Sequence, residues 1–173
     1  MLKLFHRMKL NGWTLILAGS SLNRPEDIKY IESLHSYIKL NNVNAELRVN
    51  IPRKELLSLY KRASIYWHAT GFGATRPDDY EHFGITVGEA MLGGCIPIVH
   101  NKGGVPEILG ESFNHFMWNT PKDLKKITHS VLKQEGDLVF NTTRESLCRR
   151  VKNRFSFDIF AQKWRELVYD LLY

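Results

Sequence analysis

Apolar and polar positions along this chain alternate between two periods. Leu2, Phe5 and Met8 recur at helical spacing, which predicts a helix over Leu2–Leu10 stopped by Asn11-Gly12. Trp13 to Ala18 is a short continuous apolar run, the pattern of a strand buried on both faces of a parallel sheet. Pro25 to Leu40 returns to helical spacing, with Ile28, Ile31, Leu34 and Ile38 as its stripe. Ala45 to Val49 alternates, and Pro52-Arg53 opens a helix over Lys54–Ala63. Ile65–His68 predicts a strand, Ile85–Leu92 a helix, and Cys95–His100 and Ser112–Met117 two further strands. From Pro121 onward the chain reads as helical, with a break at Glu135-Gly136. Its last segment places Phe157, Phe160, Trp164, Leu167, Val168 and Leu171 on one side, a stripe that reads as core and needs cover.

Strands separated by helix-length segments predict an α/β fold, a Rossmann-like doubly wound parallel sheet flanked by helices. Right-handed crossovers bring the strand-to-helix loops to the C-terminal edge of such a sheet, where ligands bind. The loops after Ala18, Val49 and Trp67 and the Gly103-Gly104 loop are expected there. The segment Ala69–Tyr80 is long and rich in Gly and Pro, and reads as a lid or acceptor-side loop. The 173 residues suffice for one domain with a single core.

Composition narrows the classes. The net charge of +6 is compatible with an anionic partner, but its basic residues are scattered. The densest group, Arg144, Arg149, Arg150, Lys152 and Arg154, lacks the interleaved aromatics of a nucleic-acid surface, so nucleic acid is not expected. Two cysteines, one in an apolar strand, imply no disulfide framework and fit a reducing, cytoplasmic setting. The basic N-terminus has no continuous apolar stretch of the signal-peptide kind, and no run approaches the roughly 20 apolar residues of a membrane span. His68, His82 and His100 are not spaced as a zinc motif, so no metal site is expected.

The most informative stretch runs from Glu81 to Glu107. Glu81 and Glu89 stand eight positions apart, with Phe83-Gly84-Ile85-Thr86 between them. Gly84 permits a left-handed turn and close approach of a ligand to the backbone. A helix starting there aims unpaired N–H groups and its positive end at the turn, which suits a phosphate. Glu89 is expected about a turn and a half along, close enough to the helix mouth to accept hydrogen bonds from hydroxyls. An anion site beside a hydroxyl-binding carboxylate suits a nucleoside diphosphate.

The sequence E-H-F-G-I-T-x-x-E-A-M-x-G-G-C-x-P-x-V followed by G-G-x-P-E-I resembles the E-x7-E region of family 4 retaining glycosyltransferases with the GT-B fold (glycosyl transferases group 1). Leu56-Leu57-x-Leu59-Tyr60-x-x-Ala63 and Phe157–Tyr173 extend the resemblance over nearly the whole chain. It implies the donor-binding C-terminal half of a GT-B enzyme, moving a hexose from a nucleoside diphosphate sugar to an acceptor hydroxyl with retention and without metal or other cofactor. Glu81 then lies at the donor sugar with His82 beside it, and Glu89 at the ribose hydroxyls. Phe83, Gly84, Ile85 and Thr86 contribute main-chain N–H groups. Gly19 and Ile51 line the nucleotide side, Ile51 against the base, with Asn50 standing for the usual Gly. Gly103, Gly104 and Lys102 border the phosphates and sugar, Glu107 binds or braces that loop, and Arg76 is a second cation that could face it.

Measured against that family, Leu2–Leu10 corresponds to the helix after the first strand and its "G-R…K-G" loop. A single domain over residues 1–173, lacking that first strand, the two cations and the N-terminal acceptor domain, is therefore expected. Implied partners are the sugar nucleotide, a glycan or lipid-linked acceptor, and a partner chain or N-terminal domain; the place is the cytoplasm, including the inner face of a membrane. Two other readings compete. One is a non-catalytic nucleotide-binding or assembly module that kept the fold; the other is a sugar-nucleotide epimerase of the same two-domain architecture, in which this Glu pair is atypical.

Overall fold

The computed structural model describes the backbone of residues 1–172 and the side chains of residues 1–169. The chain divides into two compact units, Met1–Leu59 and Tyr60 onward. In each, parallel strands alternate with helices, as the periodicities predict.

The first unit opens with α1 (Leu2–Met8), which buries the expected face of Leu2, Phe5 and Met8. It ends before Asn11-Gly12, because Lys9 turns left-handed at φ 49°. Strands β1 (Leu15–Gly19) and β2 (Ala45–Val49) pair in parallel from Leu15 opposite Ala45 to Gly19 opposite Val49. Between them runs α2 (Pro25–Leu40), with Pro at its start and Glu26 and Asp27 in the first turn. Burial on β1 alternates instead of being continuous, and Ile16 is 39% exposed. Its apolar run is therefore packed on one face of the pleat only. No residue of α2 is fully buried either; Ile31, Leu34 and Ile38 are half-buried and Ile28 is exposed. Helix α3 (Arg53–Arg62) leads to the second unit.

The second unit is built on β3 (Ile65–His68), β4 (Ile96–His100) and β5 (Met117–Trp118), parallel in the order β3-β4-β5. Every residue of β4 is buried, as its continuous apolar run predicts. A proline in a central strand normally costs a ladder bond. Here Ile96 donates towards the β3 side, to Ser64 O, while Asn101 donates towards the β5 side, to Trp118 O. Pro97 thus turns its missing N–H towards β5, and β5 pairs only with Val99 and His100. No bond is forfeited.

Helices α4 (Ile85–Gly93), α5 (Val105–Leu109), α6 (Pro121–Lys133), α7 (Leu138–Phe155) and α8 (Phe157–Leu172) complete the unit. Val87, Ala90 and Met91 of α4 join Ile98, Leu109 and Leu147 in a core with essentially no exposure. Thr120 and Asp123 form a reciprocal capping box at the start of α6. Trp67 Nε1 donates to Thr128 Oγ1 of α6 at 3.0 Å, which ties that helix to β3.

One expected strand is absent. Glu111–Phe116, within the predicted Ser112–Met117, forms a 3-10 helix, and only Met117 and Trp118 are extended. Gly110 turns at φ 73°, and Phe113 N–H bonds back to Gly110 O at 3.1 Å, starting the tight turn. Phe113 and Phe116, three residues apart, then share one side, as three residues per turn requires, whereas a strand would send them to opposite faces. The helical C-terminal region breaks at Gly136 (φ 84°) as expected, and again at Ser156, whose extended backbone ends α7. On α8, Phe157, Phe160, Trp164 and Leu167 are exposed, so that part of the stripe is not core; Leu171 lies outside the described side chains.

Candidate functional site

The three strands of the second unit end side by side in His68, His100 and Trp118. All three side chains are buried. The long segment after β3 folds over this edge: Phe72 packs 5.5 Å from the His100 ring and 5.1 Å from Trp118. Gly71, at φ 77°, lies against Tyr80, and Pro77–Asp79 forms one 3-10 turn. Burial lowers the basicity of His100, opposed by a hydrogen bond to the Thr70 backbone. The segment is thus seated on the strand ends by one aromatic side chain, with Phe72 itself half exposed.

The Glu81–Gly84 turn follows at once. Gly84 adopts φ 84° as the N-cap of α4, the left-handed turn that the sequence predicts. Glu81 Oε1 accepts the Gly84 N–H at 3.0 Å, and Oε2 lies 3.7 Å from His68 Nε2. The carboxylate is therefore half-buried and braces its own turn; the Gly84 N–H, expected to be open to a ligand, is already spent on it. The N–H groups of Ile85 and Thr86 make no intramolecular hydrogen bond among the described residues, so the first-turn donors of α4 remain open. His82 and Phe83 are exposed, and Phe83 packs edge-on to Phe155 at 5.5 Å.

Gly103 and Gly104 bring the loop after β4 against this turn. Gly104 N–H donates to Glu81 O at 2.9 Å. A Cβ on Gly103 would stand 2.1 Å from Glu81 O, and one on Gly104 1.8 Å from His82 O. Both distances are far inside contact. The glycine pair therefore exists, in structural terms, to let two backbones touch, which fixes where Glu81 and His82 stand. Lys102 is exposed with Nζ 6.0 Å from the Tyr80 ring centre. Glu107 is exposed in α5, and its N–H donates to Gly104 O at 3.1 Å. Arg76 pairs with Asp78 at 3.1 Å, both side chains exposed.

Glu89, the fifth residue of α4, is half-buried. Its neighbourhood includes Tyr66, whose hydroxyl donates to Thr86 Oγ1 at 3.0 Å. Burial pushes the Tyr66 phenol up, the Thr86 bond pulls it down, and the charges of Glu81 and Glu89 push it up further. Both carboxylates thus act on one phenol wedged between β3 and α4.

In the first unit, Gly19 ends β1 and accepts a hydrogen bond from Asn50 N–H at 2.9 Å. Asn50, left-handed at φ 52°, also exchanges side-chain bonds with Ser21. Its tolerance of that conformation explains how it stands where a Gly is usual. Ile51 follows, half-buried.

Sequence reasoning assigned no structural part to the arginines of α7. Arg144 donates to Gly94 O at the end of α4; Arg150 donates to Ile108 O at 2.6 Å and Glu107 O at 2.9 Å. They satisfy carbonyls at two helix ends, where a cation is also favoured by the dipole. A Cβ on Gly110 would strike the Arg150 guanidinium, a signal readable only with the fold in hand. Cys95 is buried beside Tyr60 O, and its thiol is pushed up to about 12 by burial. Both cysteines are free. Among the described residues no group of three or more His, Cys, Asp or Glu side chains is placed to hold a metal ion, and no helix is long and apolar enough to cross a membrane.

The chain is similar to several known proteins. The chain is 26% identical over 170 residues to a Dictyostelium discoideum GDP-Man:Man(3)GlcNAc(2)-PP-Dol alpha-1,2-mannosyltransferase, covering 96% of the chain and 31% of that protein. It is 28% identical over 145 residues to pea sucrose synthase 2, covering 80% of the chain and 17% of the relative. It therefore spans less than a third of the curated relatives it matches over most of its length. Among solved structures, a glycosyltransferase from Rickettsia africae superposes with a TM-score of 0.79 at 20% identity, over 99% of this chain and 43% of that one. Anabaena HepE, solved in complex with UDP, superposes at 0.76 and 19% identity, over 97% and 44%. The fold is that of one half of a GT-B glycosyltransferase. A family model described as glycosyl transferases group 1 matches residues 1–154, and the chain belongs to that family.

Proposed function

We propose that this chain binds a nucleoside diphosphate sugar and forms the donor side of a retaining hexosyltransferase acting on an acceptor hydroxyl. One observation carries the reading. A carboxylate locked at the mouth of α4 by the Gly84 N–H, with the first-turn donors Ile85 and Thr86 unspent, stands eight residues before a second half-buried carboxylate. In this reading the diphosphate meets the Ile85 and Thr86 N–H groups and the Gly103-Gly104 loop. Glu89 accepts bonds from the ribose hydroxyls, each contributing about 1.5–3 kcal/mol.

Glu81 faces the sugar, binding a hydroxyl or stabilising the positive charge that develops at the reacting carbon as the diphosphate departs. His82 and Lys102, both exposed, stand beside the turn for the sugar and phosphates. The assignments of Gly19 and Ile51 to the nucleotide rest on the family resemblance. The family supports transfer without a metal, and the GDP-mannose and UDP named for the mannosyltransferase and HepE support a nucleotide donor. A lipid-linked glycan acceptor, a cytoplasmic setting at a membrane face, and dependence on further protein for turnover belong to the same proposal.

Calorimetric titration with UDP, GDP and ADP tests it. One of the three is expected to bind, and Glu89→Gln to weaken that binding about 10-fold or more. Failure of all three to bind, or binding indifferent to Glu89→Gln, overturns the donor site and leaves a fold without this role.

A further inference from the structure

We propose that His68 is a positioning residue for Glu81, holding its carboxylate by donating from Nε2 to Oε2. The functional half of this inference rests on the donor reading above; the structural half does not.

His68 ends β3 with 3% of its surface exposed, yet neither ring nitrogen has a hydrogen-bond partner. Buried polar groups are nearly always satisfied, so an orphaned imidazole asks for an explanation. The charged group facing it is Glu81, whose Oε2 lies 3.7 Å from Nε2. A charge-assisted bond is about 2.7–2.9 Å long, so the gap that a small adjustment of the two side chains must close is about 1 Å. The other oxygen is already fixed by the Gly84 N–H. With both oxygens held, the carboxylate has its plane set by β3 on one side and the α4 cap on the other, and its remaining lone pairs are left for a ligand.

Burial lowers the basicity of His68, Glu81 raises it, and His100 on the next strand lowers it. The neutral ring can carry a proton on only one nitrogen, and beside a carboxylate that nitrogen is Nε2. His100 and Trp118 also keep an unpartnered ring nitrogen each, but Glu81 is the carboxylate recorded at His68 and at neither of them.

The full chain, labelled with nitrogen-15, gives the first readout. The His68 ring signals, assigned by their loss in His68→Gln, are expected to show the Nε2–H tautomer. In Glu81→Gln the His68 titration midpoint is expected to move down, because an anion has been removed. A ring protonated at Nδ1, or a midpoint indifferent to Glu81→Gln, overturns the proposal. The second readout is the affinity gained by adding a sugar: UDP-glucose against UDP, and GDP-mannose against GDP. A glutamine amide reproduces an Nε2 donor and an asparagine amide an Nδ1 donor. His68→Gln is expected to keep that gain within about twofold and His68→Asn to lose it, with the nucleoside diphosphate bound equally by both. Equal loss in both variants indicates a packing role and refutes positioning. If no nucleotide binds even the unsubstituted chain, the donor reading fails while the tautomer and titration still decide the His68–Glu81 pair.

Discussion

The two units use one building plan and finish it differently. In the first, β1 and β2 only half-bury alternate residues and α2 buries none completely. In the second, β4 is buried along its full length, with α4, α5 and α7 contributing side chains of near-zero exposure. The strand loops differ in the same sense. Gly19 at the end of β1 has open space where a side chain would go, whereas Gly103 and Gly104 have backbone there. A ligand site whose carboxylates must keep fixed positions is better served by the second kind of frame, because close-packed surroundings leave each group one arrangement.

Substitutions can break that contrast. The largest expected effect is at Ile98, fully buried in β4: Ile98→Ala should cost about 2–5 kcal/mol in denaturant unfolding. Ile16→Ala, at a position 39% exposed, should cost clearly less. Equal losses would mean that the two sheets are equally packed.

Next comes Gly104→Ala, which forces a methyl onto His82 O and should cost about 1–3 kcal/mol or more while displacing the Glu81 turn. Gly19→Ala should stay within about 0.5 kcal/mol in the same melts. Arg150→Ala leaves the Ile108 and Glu107 carbonyls without their donor and should lose about 1–3 kcal/mol, a value read from the shift in unfolding midpoint.

The smallest effect is one of pH. Burial depresses the basicity of His68 and His100, so the unfolded chain takes up their protons first. The stability they contribute is complete above the unfolded midpoint of about 6.5 and is lost as pH falls below it. The melting temperature should therefore drop between about pH 7 and pH 5, and His68→Gln should flatten that drop. A melting temperature that rises on acidification would show that the Glu81 carboxylate, not burial, dominates at His68.

Much of this was legible in the chain itself. Helix α2 and strand β2 fall on their predicted residues because the stripe at 3.6 spacing and the alternation at 2 are written in the residues themselves, and β3 falls on its predicted residues as well. The Gly84 turn and the helix after it were likewise written locally, in one residue that tolerates φ > 0 followed by helix-compatible spacing. Where neither period is clear, local pattern stops deciding: Ser112–Met117 was expected as a strand, yet its two phenylalanines stand three apart and Gly110, at φ 73°, opens a 3-10 turn there.

Tertiary structure alone decided what touches what. It gave Glu81 to the Gly84 N–H and placed it opposite His68, thirteen residues earlier in the chain. It set Gly103 and Gly104 against the Glu81–His82 backbone, and turned two surface-looking arginines into caps for α4 and α5. Periodicity records which face of an element is apolar. It carries no record of which distant backbone will come within hydrogen-bond reach, because that depends on the packing of whole elements, and packing is a property of the folded chain.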